Sequence, residues 1–443
     1  MTLRRLLTAL ALLAAAACAP LAPHDSAPAI LFVHGNGDSA ALWTTTLWRF
    51  ESNGYDRHLL QAIDFAYPLA RSDDAKPQAN RSSSAEQRAQ LAAKVAEVRR
   101  ATGHDQVALV GNSRGGNAIR DYVKNGGGAQ WVSHVVLGGT PNHGVFDWPE
   151  TLGSEFNGKG AFLTQLNAGP DEVVAGVRFL TIRSDANDKY AQPDARFLGA
   201  PGRATGVGHD GPALKGARNV VLEGVDHRET SFGPLAFAET YRFLTGAAPA
   251  RLDIVPERDV VLDGVVGGIA GGVPTNLPVE GAKLAVYEVA PGTGERLGPP
   301  AHEKLTGADG RWGPFQARAG ACYEFVLEVP GFAITHTYRS PFPRSSSLVH
   351  LRPAQFGKGE AEAGSVVAIT RPRGYFGHGR DVFTLDGKVP PGINEGVPGA
   401  SAGKLLLPPE PLRAVAARFN DERITVRNWP AGEGHLVFAE FHY

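Results

Sequence analysis

The chain has 443 residues, 43% of them hydrophobic, enough for two to four domains with real cores, which excludes a disordered chain and a small disulfide-stapled scaffold. Its 44 basic and 45 acidic side chains leave a formal net charge of -1, so there is no positive field to hold a nucleic-acid backbone. The 54 glycines and 32 prolines follow no Gly-X-Y period and indicate many tight turns, hence a substantial all-β portion.

The N-terminal stretch MTLRRLLTALALLAAAACAP places Arg4 and Arg5 before an apolar run from Leu6 to Ala17 that is too short to span a bilayer. This is the pattern of an export signal over residues 1–18, carrying the protein out of a bacterial cytoplasm. Ala15-Ala16-Ala17-Cys18 resembles a lipobox ending at Cys18, without the usual Leu where Ala15 stands; the other reading is ordinary signal-peptidase cleavage near Ala17 or Ala19. Lipidation of Cys18 would anchor an outer-membrane or periplasmic lipoprotein, and ordinary cleavage would release a secreted one. Either way Cys322 has no intramolecular partner in the mature chain, which must rely on its cores.

From Ala29 to about Gly246 short apolar runs alternate with helical periodicity, the pattern of a parallel sheet covered by helices, and a domain over residues 29–248 is expected. The predicted strands are Ile30 to His34, His58 to Ile63, Val107 to Gly111, His134 to Leu137, Val177 to Ile182 and Val220 to Leu222. A helix with Trp43, Leu47 and Phe50 on one face stops at Gly54. Another starts at a Ser-rich cap, Ser84 with Gln87 three residues on, and runs through Leu91, Val95 and Val98. A final helical segment spans Pro234 to Leu244.

The chemistry centres on Val107-Ala108-Leu109-Val110-Gly111-Asn112-Ser113-Arg114-Gly115-Gly116, a strand running into G-x-S-x-G and then a helical segment. A nucleophilic serine needs a tight strand-to-helix turn with small neighbours, and a helix N-terminus that favours developing negative charge. Upstream, Ile30-Leu31-Phe32-Val33-His34-Gly35-Asn36-Gly37 is a buried strand ending in a Gly-bracketed loop. The main-chain amides of Asn36 and Arg114 are the expected oxyanion donors. His34 precedes the serine at a strand end and reads as a structural hydrogen-bonding group rather than a base.

With HGNGD at 34–38, GNSRGG at 111–116 and Gly139-Thr140-Pro141-Asn142-His143-Gly144, the chain resembles the α/β-hydrolase superfamily, and within it the compact bacterial lipases, over about residues 29–246. Those enzymes lack the first two strands of the larger fold, and Ala19 to Pro28 is too short for a hairpin. The resemblance implies serine-ester chemistry in the chain order Ser, acid, His. The acid follows the strand ending at Ile182: Asp188, five residues before Pro193, fits the register better than Asp185. His227, in a loop after the strand at 220–222, is the expected base; His209, before that strand, is its competitor. Phe146, Trp148, Phe156 and Phe162 fall where such hydrolases place substrate-covering segments, as an acyl pocket, a lid or ordinary packing. Asp185, Asn187, Asp188, Asp194 and Asp210 form no D-x-D-x-D-G loop, so neither a metal nor any cofactor is expected.

After Pro249 helical periodicity almost disappears. Val260 to Val266, Lys283 to Val289 and Tyr323 to Val329, with a turn at Thr306 to Gly310, read as a β-sandwich over 251–352; Val366 to Ile369, Ile424 to Val426 and His435 to Phe441 suggest a second small β domain over 353–443. The stretches at Ala282 to Val289 and Gly307 to Phe315 resemble the transthyretin-like, carboxypeptidase-regulatory type of β-sandwich. The whole reads as an α/β-hydrolase with a mainly parallel six-stranded sheet followed by one or two all-β sandwiches. The expected activity is that of an exported, lipase-like serine carboxyl-ester hydrolase on a lipid or polyester. Its rivals are a depolymerase whose β domains dock to a polymeric ester, and a cell-surface binding protein with a structural hydrolase domain. All catalytic candidates precede residue 230, so a chain ending near Pro249 is expected to keep the whole catalytic apparatus.

Overall fold

The structure, a computed structural model, describes residues 27–443; the export signal and the lipobox ending at Cys18 lie outside the described residues. Six apolar runs form one sheet: β1 (Ala29–Val33), β2 (Leu60–Ile63), β3 (Val107–Asn112), β4 (Val132–Gly138), β5 (Arg178–Ser184) and β6 (Arg218–Leu222). They lie in the order β2-β1-β3-β4-β5-β6, every pair parallel. β1 and β3 are buried along their whole length, which is why they read as continuous apolar runs rather than alternating ones. All six expected strands are present, with ends shifted by one or two residues.

The helices are α1 (Thr44–Ser52), α2 (Ser84–Thr102), α3 (Arg114–Asn125), α4 (Ala161–Leu166), α5 (Glu229–Phe232) and α6 (Pro234–Thr245). Trp43, just before α1, and Phe50 within it pack on Phe32 of β1 with ring centroids 5.0 and 5.8 Å apart. The cap of α2 is one residue earlier than expected: Ser83 and Glu86 form the capping box, while Ser84 is engaged by Asp74 through its N–H at 2.7 Å and its hydroxyl at 2.5 Å.

Beyond residue 250 the chain is all β. A seven-stranded sheet runs His302–Leu305, Lys283–Val289, Cys322–Glu328, Ile334–Arg339, His435–Glu440, Ser365–Thr370, Ala402–Leu407. One apolar core (Leu284, Trp312, Phe325) lies between this sheet and the ribbon Val260–Leu262 with Phe315–Ala317; a second (Ile369, Phe383, Phe419, Val437) lies against the three-stranded sheet Phe383–Leu385, Ala414–Phe419, Glu422–Arg427. The second core also takes Val289 and Tyr338 from before residue 353, so that boundary separates neither two cores nor two sheets. His435–Glu440 pairs in parallel with both Ile334–Arg339 and Ser365–Thr370, stitching the units together.

The β units pack directly on the hydrolase domain. The outer face of α1 gives Trp48 to the first β core, with its indole N–H donating to the Ser345 carbonyl at 2.9 Å. Asn276 donates to the carbonyls of Asp38 and Phe65, and His350 pairs with Asp64 at 2.9 Å.

Candidate active site

The close packing of glycines builds the nucleophile turn. Ser113 sits between β3 and α3 at φ 52°, ψ -123°, a backbone conformation an L-residue adopts only under constraint. The constraint comes from three contacts: a Cβ on Gly115 would collide with the main-chain carbonyls of Val33 and His34, one on Gly111 would lie 2.9 Å from the Gly116 nitrogen, and one on Gly35 would lie 2.8 Å from Asn112 Oδ1. Asn112 ties the turn to α5, donating to Ser231 Oγ at 2.9 Å. The first loop is therefore pressed against the serine. Its Gly37 N–H donates to the Pro68 carbonyl, and the Asn36 side chain accepts from the Ala70 N–H. Among the described residues the main-chain amides of Asn36 and Arg114 have no acceptor, which leaves both able to serve an oxyanion.

The candidate acid and base, Asp188 and His227, follow β5 and β6. His227 Nδ1 lies 2.8 Å from Asp188 Oδ2, both residues are buried, and the other carboxylate oxygen accepts from the Tyr190 N–H. Nε2 is thus the ring nitrogen not engaged by Asp188. Gly139, at φ +55°, lets the His227 main chain approach; a Cβ there would stand 2.7 Å from its carbonyl oxygen. The Tyr190 ring meets the imidazole edge to face at 4.7 Å. Asp185 turns elsewhere: it accepts from Ser184, from Asn187 and from the Gly224 N–H. Burial opposes its charge, yet these bonds hold its carboxyl below the usual range. His209 is exposed and lines a recess that does not include Ser113. His34 is fully buried, bonded through Nδ1 to the Gly35 carbonyl and accepting at Nε2 from the Phe65 N–H, and burial depresses its pKa.

Ser113, His227 and Asn36 line one cavity of about 190 Å³ with Phe146, Phe156, Val145, Leu198, Tyr190 and Tyr375. Trp148 and Phe162 do not reach it. Trp148 stacks behind Phe146 at 4.6 Å under the Arg203 guanidinium, and Phe162 is half-buried on α4. The segment carrying Phe156 is fixed by Glu155, which accepts from the fully buried Arg114 side chain at 2.6 Å; burial pushes the Glu155 carboxyl up to about 7. Arg114 donates as well to the carbonyls of Pro68 and Ser82, so the residue after Ser113 ties three separate segments of the chain together.

Sequence reasoning missed the side chains on which the His227 turn rests. Asp226 and Glu229, either side of the base, meet Arg371 at 3.1 and 2.5 Å and Arg380 at 3.4 and 2.8 Å. Two buried or half-buried acids flanking His227 demand cations, and that demand is the one available signal; which arginines meet it depends on a loop some 150 residues away. Lys189, next to the acid, donates to the Gly399 carbonyl. The candidate triad and oxyanion donors all lie before residue 230, whereas Tyr375, Arg371 and Arg380, which line or brace the site, belong to the distal β unit. Among the described residues no group of His, Cys, Asp and Glu could hold a metal ion, and no helix is long and apolar enough to cross a membrane.

A six-stranded parallel sheet with a serine on a strained strand-to-helix turn, followed in the chain by an acid and a histidine that pair, defines an α/β-hydrolase. Residues 27–146 match the family model of class 2 lipases, and residues 259–356 match that of the lipase C-terminal domain. Family match and fold together make this a lipase-like hydrolase. Among solved structures, the mature form of the Bacillus licheniformis lipase BlEst2 is similar at 21% identity and a TM-score of 0.37, over 51% of this chain and 96% of that one. Its propeptide form aligns at 21% identity and a TM-score of 0.38 over 62% and 60%. A monoacylglycerol lipase from Paleococcus ferrophilus aligns at 13% identity and a TM-score of 0.34 over 50% and 96%. No curated protein matches the chain.

Proposed function

We propose that this protein is an exported serine carboxyl-ester hydrolase working through an acyl-enzyme on Ser113. The observation that carries the reading is that His227, whose Nδ1 pairs with Asp188 Oδ2 at 2.8 Å, lines the cavity that also holds Ser113. Ser113 Oγ attacks the acyl carbonyl carbon while its proton passes to His227 Nε2; the carbonyl oxygen takes the negative charge and is held by the amides of Asn36 and Arg114. Collapse of the tetrahedral adduct expels the alkoxide, which takes the proton from His227. Water then attacks the acyl-enzyme, its proton going to His227, and the carboxylic acid leaves as Ser113 regains its hydrogen. Asp188 holds the imidazole in the Nδ1–H tautomer and stabilises the imidazolium. Export rests on the N-terminal sequence alone, and lipidation at Cys18 would show as a mass addition that Cys18→Ser abolishes.

A fluorophosphonate probe tests the reading: the wild-type protein should be labelled at Ser113 and should hydrolyse p-nitrophenyl esters. A folded protein that takes no label at Ser113 would be a binding protein built on a hydrolase fold.

A further inference from the structure

The cavity beside Ser113 is not closed by the hydrolase domain alone. Tyr375, in the loop between Ser365–Thr370 and Phe383–Leu385 of the distal β unit, supplies one of its walls and is itself buried. Its backbone is pinned at both ends: its N–H donates to Asp226 Oδ2 at 2.7 Å, and its carbonyl accepts from Arg371 at 2.7 Å and Arg380 at 2.9 Å. Those arginines also bind Asp226 and Glu229, so the loop carrying Tyr375 and the turn carrying His227 are one hydrogen-bonded body. The ring is held from the sides as well, by the Lys189 ammonium 4.1 Å from its centroid and the Arg228 guanidinium at 5.0 Å. A ring so restrained cannot swing aside to admit a longer substrate.

We infer that Tyr375 sets the acyl-chain length this enzyme accepts, as a fixed wall of the cavity it lines together with Val145, Phe146, Phe156 and Leu198, and that the substrates are esters of short acids. The volume agrees: about 190 Å³ is below the roughly 300–1,000 Å³ of sites that enclose drug-sized ligands. The inference rests on the serine-esterase reading and adds that the β unit is a structural part of the active site. Tyr375 touches the bound chain; Arg371 and Arg380 are positioning residues that act through it and through the His227 turn.

The test uses the full chain and p-nitrophenyl esters from acetate to dodecanoate, with fluorophosphonate labelling of Ser113 measured in parallel. The wild type should favour short acids. Tyr375→Ala should raise the decanoate-to-butyrate ratio of kcat/KM at least tenfold while Ser113 still takes the label. Tyr375→Phe should keep the wild-type ladder, and Tyr375→Trp should shorten it by at least two carbons. If Tyr375→Ala does not fold, the Phe and Trp variants decide alone. A labelled enzyme whose ladder is the same in the Ala or Trp variant overturns the inference and leaves the esterase reading standing. A folded wild type that takes no label sinks both.

Discussion

Trp48 of α1 donates its indole N–H to the Ser345 carbonyl at 2.9 Å, and through that bond the helix packed beside the first strand of the catalytic sheet is also part of the β core. A chain ending at residue 249 would therefore expose Trp48 and leave Asp226 and Glu229 without Arg371 and Arg380. We expect such a fragment to lose its cooperative thermal transition and its turnover of soluble esters. A fragment with a sharp melt and full activity towards p-nitrophenyl acetate would contradict this. In the intact chain Trp48→Ala should cost about 3–5 kcal/mol of stability, measured by denaturant unfolding.

Ser113→Ala and His227→Ala should each lower kcat by about 10^4-fold or more without altering the melt, since triad members act as a unit. Asp188→Ala should be severe but less so. Asp185→Ala should leave kcat within tenfold and lower Tm instead, because Asp185 secures Gly224 and Asn187 rather than His227. Reversed effects at the two aspartates would reassign the acid.

Gly115→Ala should destabilise by on the order of 2–3 kcal/mol and abolish activity, since its methyl would meet the carbonyls of Val33 and His34 beside the oxyanion loop. Gly103→Ala is the control. It stands at φ +73° with no atom within 4 Å of the added Cβ, so only the left-handed strain of about 1 kcal/mol applies and kcat should not change.

Glu155 gives stability a pH dependence. Burial raises its carboxyl from 4.5 to about 7, so between those values the folded state binds a proton that the unfolded state has lost. This contribution is fully present below pH 4.5 and is lost as pH rises through 7, an effect on the order of 3 kcal/mol. Glu155→Gln should flatten that part of the stability curve; an unchanged slope between pH 4.5 and 7 would exclude the assignment.

The parts of this protein legible in sequence are those written locally. β3 announces itself by four buried apolar residues before Gly111, and Ser113 by the glycines two positions either side. Asp188 and His227 follow from their places after strands. The cap of α2 was misplaced by one because Ser83-x-x-Glu86 and Ser84-x-x-Gln87 fit the same pattern, and only Asp74, ten residues upstream, decides between them. Tyr375, Arg371 and Arg380 leave no local trace, since their role is a pairing with residues 142 to 154 positions away. The continuity of the seven-stranded sheet across residue 353 was hidden for the same reason: a strand's sequence does not name its partner.

That continuity has a consequence for the order of events in folding. Ile334–Arg339 and Ser365–Thr370 are joined into one sheet only through His435–Glu440, which lies between them in parallel with both, a long-range pairing of the slow kind. The loop with Tyr375, Arg371 and Arg380 follows directly on the second of those strands, so its seat is finished only when the late strand arrives. A chain in which His435–Glu440 has not yet joined the sheet would hold Ser113 beside a cavity whose Tyr375 wall is not yet fixed.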